Sequence, residues 1–462
     1  MIDWPPVDPV LIVAISIGCI AVLLIIATVS SRSPRRGLVA VVIAWIGLMA
    51  PMAIDQPRTA TDVLTNGITP IDIVRGGLPM VALMLASVIG RPALKAPRLT
   101  EAAAIAFAVV SITSAAWSIS PSSTLLKASA LLTAYLLVFV VTRLDAEAGR
   151  STIDSLAFTV HLTVLSTLLW LLVAHDRALI YLQYDPTPRL AGVFPFVAPN
   201  LLAYWAVAGI LLLSANVQPR LALGWRLILT GAYLSVILLT RTRSEIAILA
   251  IGLGVLMFLR GSRQRALLAV VTPLAVVVIA TAALFTADPI LTFLARGQDP
   301  TQLVSLTGRT ITWQQALQLW GTKPALGLGY YAGHRFGINL GPGSVEFSNI
   351  DSMWIETLLD TGILGSGVLG LFVTVSCYRL FQRRRPVDTE PYLAVRRALF
   401  LVGIGASYIN PSLQGVNYGM VLLAAVIFAA PHVGSAPKET IGARPSISLV
   451  PAQRVALRGA GQ

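Results

Sequence analysis

Charge is what this chain has least of. Only 12% of its 462 residues are Asp, Glu, Lys or Arg, against roughly 25% in an ordinary soluble domain. The charges also fall in short clusters between apolar runs long enough to cross a bilayer, which excludes a soluble core of ordinary helices. Cysteine is nearly absent. Cys19 and Cys377 each lie inside an apolar run, so neither a disulfide framework nor a metal site is expected. Met1 to Pro9 holds Asp3 and Asp8 but no Lys or Arg, so no cleavable signal peptide is expected. Acidic residues are scarce beside basic ones, 21 against 34, for a net charge of +13. That excess alternates between strong and weak loops instead of covering one face, which argues against a nucleic-acid partner and follows the positive-inside rule.

What the chain does have is hydrophobic sequence, 56% of the total. Apolar runs predict spans near Pro9–Val29, Gly37–Ile54, Ile71–Gly90, Thr100–Ser118, Ser122–Val141 and Ile153–Ala174. They continue near Asn200–Leu213, Leu227–Thr240 and Ser244–Leu259, then in a tenth run ending at Phe285. Ser352–Tyr378 and two shorter runs flanking Asn410-Pro411 complete the set. The expected fold is all-α: a polytopic transmembrane helical bundle of about 12–13 spans within residues 1–430. One long loop, about 286–351, carries short helices, and the Pro- and Ser-rich segment 431–462 has the composition of a disordered cytoplasmic tail. About two thirds of the 34 Lys and Arg fall on the side of Arg32, which places the long loop outside the cytoplasm and the protein in the cytoplasmic membrane. No internal repeat is visible, which disfavours a transporter built from inverted repeats.

The informative charges are those on the weakly basic side. Arg241 and Arg243 bracket a turn too short to carry them far from the bilayer, where an arginine at a helix centre would cost about 2.5–3.5 kcal/mol. Snorkelling end-caps would explain them. So would a fixed anion site, since guanidinium forks match phosphate oxygens. Arg189 and Arg309 add two more from separate loops, and four converging arginines point to a polyanion such as a lipid pyrophosphate. Glu245, four residues after Arg241, is expected to pair with it on one helix face. Trp313, Leu317 and Trp320 stand at helical spacing in Thr310–Trp320, predicting an amphipathic helix on the bilayer or across the bundle. His334 is read as a surface residue. Asp351, where the span after the long loop begins, is the candidate general base; the alternative for it is a helix N-terminal acid.

Four stretches together resemble the O-antigen ligase and polymerase superfamily of membrane glycosyltransferases. They are Ala116-Trp117-Ser118 with Ser120-Pro121; Arg189 to Phe194 with Pro199-Asn200; Thr242-Arg243-Ser244; and Gly308-Arg309, Trp313, Pro324 and Gly327-Leu328-Gly329 leading to Gly362-Ile363-Leu364-Gly365. The resemblance implies inverting transfer without metal or cofactor. Its partners would be a polyprenyl-diphosphate-linked glycan donor, a glycan acceptor, the bilayer and polysaccharide export or assembly proteins. It assigns diphosphate binding to Arg189, Arg241 or Arg243, and Arg309, and the base to the position of Asp351. Ligases of the superfamily carry histidine there. The aspartate moves the expectation toward an exopolysaccharide polymerase, with transfer to a protein or cell-wall acceptor and flipping of an anionic lipid-linked glycan as alternatives.

Overall fold

The structure, a computed structural model, describes residues 36–53, 69–91, 96–147, 151–181, 187–193, 196–215, 221–259, 309–337, 350–382, 390–408, 410, 413 and 415–429. The expected first span, the tenth run, Asp288-Pro289, Gly308, most of the long loop and the tail 431–462 lie outside the described residues.

Helices dominate. They are α1 Arg36–Ala53, α2 Pro70–Gly90, α3 Leu99–Thr113 with a 3₁₀ turn Ser114–Ala116, α4 Pro121–Glu147 and α5 Thr152–Val173. Then come α6 Pro199–Ser214, α7 Leu223–Thr240, α8 Arg243–Leu259, α9 Arg309–Trp320, α10 Met353–Phe381, α11 Glu390–Ala406 and α12 Tyr418–Phe428. Among the described residues six helices are long and apolar enough to cross a membrane: α2, α3 with its 3₁₀ extension, α4, α5, α7 and α10. A polytopic helical bundle is therefore the fold, as the apolar runs predicted.

Local sequence sets where the helices start. Pro70, Pro121 and Pro199 open α2, α4 and α6, where a missing N–H costs nothing. Thr69 and Asp72 cap α2 reciprocally, the Asp72 carboxylate accepting from the Thr69 N–H at 3.1 Å. Asn417 caps α12 by accepting from Met420 N–H at 2.9 Å.

α12 is buried along its whole length, as a helix apolar on every side should be. Around it pack Trp205 of α6, Tyr135 of α4 and Phe372 of α10. Two of the polar tips in this core are satisfied: Trp205 Nε1 donates to Tyr418 O at 3.1 Å and Tyr135 OH to Leu413 O at 2.6 Å. Large apolar side chains such as Val88, Leu172 and Leu223 face outward, consistent with lipid contact. Two antiparallel pairs of two-residue strands, β1 Leu179–Ile180 with β2 Arg189–Leu190 and β3 Gly192–Val193 with β4 Phe196–Val197, brace the connection between α5 and α6.

Candidate active site

Pairing with β1 fixes Arg189 against the turn between α7 and α8. Its Nε donates to Thr240 O at 2.8 Å, and its Nη2 donates to Asn200 Oδ1 at 2.6 Å and Thr242 Oγ1 at 3.0 Å. The side chain is only 4% exposed. Arg241 ends α7 in the left-handed region, at φ 52°, and Arg243 opens α8. A left-handed non-glycine residue costs roughly 1–3 kcal/mol and persists only where its surroundings over-determine it. Here the Arg189 fork grips both sides of Arg241. Two stretches far apart in sequence, Arg189 to Asn200 and Thr242 to Ser244, thus form one structure.

The second half of the site lies where α9 meets α10. Arg309 Nη2 donates to Asp351 Oδ2 at 3.2 Å, with the two side chains 23% and 28% exposed. Asp351 has φ 54° and precedes the residue that caps α10. Trp313 holds the approach by donating from Nε1 to Ile350 O at 2.9 Å, while Thr312 and Ala316 bury the inner face of α9. The predicted helix therefore forms and packs on α10, but not by the expected stripe: Trp313 and Trp320 are partly buried while Leu317 is exposed, and the buried face is that of Thr312 and Ala316.

Contacts join the halves. Met353 N–H donates to Ser407 O at 3.0 Å and Trp354 Nε1 to Ser407 Oγ at 3.1 Å, tying the start of α10 to the end of α11. From the same connection Asn410 Nδ2 donates to Glu245 Oε1 at 2.8 Å. Glu245 is 0% exposed and also accepts from Ser244 Oγ. The expected Glu245–Arg241 pair does not form. Arg241 ends the preceding helix, so the i, i+4 geometry of one helix does not apply. Of the predicted residues, Arg309 and Asp351 pair directly, Arg189 bonds the turn before α8, and α8 is tied to the start of α10 through Glu245, Asn410 and Ser407. Arg241 and Arg243 flank Thr242 on the turn that Arg189 braces.

The glycine stretches serve a different part of α10. This helix breaks at Gly362, with φ 64° and ψ −162°, and a broken helix inside a membrane must have its freed backbone groups satisfied. Residues 324–329 do so as a strap. Leu328 and Gly329 N–H donate to Leu359 and Asp360 O at 3.0 and 2.8 Å, and Ile363 and Leu364 N–H donate back to Pro324 and Ala325 O at 3.0 and 3.2 Å. A Cβ on Gly362 would stand 2.4 Å from Ala325 O, and one on Gly329 2.2 Å from Ser118 Oγ. Trp117 Nε1 donates to Leu326 O at 2.9 Å, and Thr124 Oγ1 bonds Ser118 Oγ and Tyr330 O, each at 2.7 Å. The Trp117-Ser118 and Gly327-Leu328-Gly329 stretches are therefore complementary parts of one joint.

His334 departs from its reading as a surface residue. Its Nδ1 lies 2.8 Å from Oδ2 of Asp360, which is 1% exposed and also accepts from the Tyr331 and His334 N–H groups at 2.8 Å each. Burial pulls the His334 pKa down, but the charges of Asp360 and Glu356 and the bond to Asp360 leave it raised, against a smaller downward effect of Arg335. Sequence reasoning missed Asp360 and Asn410. The available signal was a carboxylate deep in an apolar run, which is expensive without a partner. Among the described residues no three His, Cys, Asp or Glu side chains converge as metal ligands.

Residues 227–370 match the family model described as O-antigen ligase. The match covers Thr242, Arg243, Glu245, Arg309, Asp351 and Gly362, and leaves Ser118 and Arg189 outside. It supports the O-antigen ligase/polymerase superfamily and, generally, a membrane glycosyltransferase of that type. No curated protein matches the chain.

Proposed function

We propose that the protein transfers or polymerises a polyprenyl-diphosphate-linked oligosaccharide on the outer face of the cytoplasmic membrane, by metal-independent inverting chemistry. The acceptor hydroxyl oxygen attacks the anomeric carbon. The bond from that carbon to the diphosphate oxygen breaks, the electron pair leaves with the lipid diphosphate, and the hydroxyl proton passes to the Asp351 carboxylate. Arg309 and Arg243, with Arg241 beside them, hold the diphosphate, whose charge grows as it leaves. Arg189 acts through the turn it braces, and Arg309 also aims Asp351.

The observation that carries this reading is the Arg309–Asp351 pair, 3.2 Å apart and partly exposed at the start of α10. It sets a cation for the leaving group beside a carboxylate for the acceptor. The aspartate at this position favours polymerisation over ligation. Deleting the gene and sizing the surface polysaccharide tests the assignment. Accumulated single repeat units mark a polymerase, and long chains retained on the lipid carrier mark a ligase. Unchanged polymer in both the deletion and an Arg309→Ala strain would refute the reading.

A further inference from the structure

The joint between the strap and α10 holds polar groups that the proposed reaction does not use. Asp360 is 1% exposed and saturated: it accepts from the Tyr331 N–H, the His334 N–H and His334 Nδ1, each at 2.8 Å. These bonds hold Tyr331 in the left-handed region, at φ 65°, a strained conformation that clusters at functional sites. Gly333–Gly337 then form a π-helical turn, another feature frequent at such sites. With Nδ1 committed to Asp360, His334 keeps Nε2 for a further partner, and its side chain is 14% exposed. The Tyr331 ring is the centre of the cluster. His334 meets it at 84° with centroids 5.4 Å apart, and Lys127, from the second turn of α4, places Nζ 5.0 Å from its centroid. Lys127 is half-buried, and among the described residues no carboxylate pairs with it. A ring face satisfies an ammonium only in part, because the group has three donors.

We infer that Lys127, with Tyr331 and His334, forms a subsite for a carboxylate-bearing sugar of the acceptor glycan. This inference rests on the function proposed above. The carboxylates already in the cluster are closed off: Asp360 holds three donors, and Glu356, one turn earlier on α10, is 4% exposed. The Lys127 ammonium is left as a charge that the cluster can offer. Partly withdrawn from water, it attracts a carboxylate more strongly than a fully solvated lysine does. Tyr331 fixes the ammonium from one side, and His334 Nε2 reaches a neighbouring polar group of the same sugar. α10 sets the spacing. Asp351 stands just before this helix, and Asp360 follows Met353 by seven residues, about 10 Å along the axis. The subsite therefore meets a sugar further along the acceptor than the reacting hydroxyl, on the same rigid segment that carries the base.

The test uses the full chain in lipid nanodiscs and measures the affinity for the repeat-unit oligosaccharide cleaved from the host's own surface polysaccharide. A second probe is the same oligosaccharide with its carboxylates chemically reduced to alcohols. The wild type should prefer the native form by about tenfold, or roughly 1.4 kcal/mol. Lys127→Met and Lys127→Gln should bind both forms alike, near the wild-type affinity for the reduced one. A merely structural Lys127 would shift both affinities together and leave their ratio intact. The subsite is overturned by a polysaccharide without carboxylates, by equal or absent binding of the two forms in the wild type, or by a preference that survives both substitutions. Loss of transfer in Arg309→Ala would then leave the proposed function standing. Full transfer by Arg309→Ala overturns that function, and the subsite with it.

Discussion

Replacing Arg189 by alanine deletes the donor of three hydrogen bonds, to Thr240 O, Asn200 Oδ1 and Thr242 Oγ1. Hydrogen bonds to charged groups contribute about 1.5–3 kcal/mol each in soluble proteins. Polar contacts inside membrane bundles average nearer 0.6 kcal/mol, because the unfolded chain in the bilayer also finds partners. Three bonds on the lower scale give about 2 kcal/mol, and the acceptors left buried without a donor add to it. Arg309→Ala differs in kind. Its pair with Asp351 is about a quarter exposed and stabilises by at most about 1 kcal/mol. In a melting assay on purified protein in one detergent, 1 kcal/mol corresponds to about 2 °C in a chain of this size. Arg189→Ala should therefore melt at least about 4 °C below the wild type, fall in cellular abundance and lose polymer. Arg309→Ala should lose polymer while melting within about 2 °C of the wild type. Thr242→Val, which keeps the shape and removes one hydroxyl, should fall between the wild type and Arg189→Ala. Wild-type melting of Arg189→Ala would refute the argument that Arg189 acts by bracing the α7–α8 turn.

Three further outcomes are expected. Asp351→Ala and Asp351→Asn should reduce transfer at least about 100-fold, the usual contribution of a positioned base, while Asp351→His retains substantial activity; an active Asp351→Asn in a transfer assay would remove Asp351 from that role. Gly329→Ala should fail to accumulate as folded protein by size-exclusion chromatography, because its φ of 104° strains any side chain and the new Cβ would meet the Ser118 backbone at 2.6 Å, so trimming Ser118 to glycine gives no rescue. For His334, whose pKa is raised in the folded protein, the ion pair with Asp360 contributes fully below the unfolded value of about 6.5 and is lost as pH rises through the folded one. The melting temperature should accordingly fall more steeply above neutral pH in the wild type than in His334→Gln, and parallel profiles would show that the pair does not secure the strap.

Helix placement was legible because the bilayer sets run length directly. Ser244–Leu259 was expected and α8 runs Arg243–Leu259; Ile153–Ala174 was expected and α5 runs Thr152–Val173. The arginines stood out for the same reason, being costly where they are. Their partners did not. Asn410 lies 165 positions from Glu245, and Asp360 lies 26 from His334, so no local spacing could pair them. Glu245 misled because its four-residue offset from Arg241 mimics a helical pair, although the left-handed Arg241 separates two helices. His334 looked like any loop histidine until the strap folded it onto α10. The glycines of 327–329 and 362 were visible as motif letters, yet their purpose lies in a break in α10 that an uninterrupted apolar run conceals.

The arrangement of helix ends gives the arginine site a second source of positive potential. Asn200 stands in the first turn of α6, Arg243 opens α8, Arg309 opens α9, and Asp351 directly precedes α10. A helix N-terminus carries about half a positive charge, which adds to that of the arginines opening α8 and α9. Such a site binds anions readily, and its difficulty is letting them go. Each turnover of the proposed reaction leaves a lipid diphosphate on it that has lost its glycan but kept its charge. Asp351 and Glu245 are the carboxylates that the fold places against this potential. Asp351 is partly exposed and can meet an acceptor; Glu245 is sealed beneath the surface and cannot. Burial thus separates two groups of the same chemistry: in the proposed reaction Asp351 takes up the proton, whereas Glu245 stays hydrogen-bonded to Asn410 inside the fold.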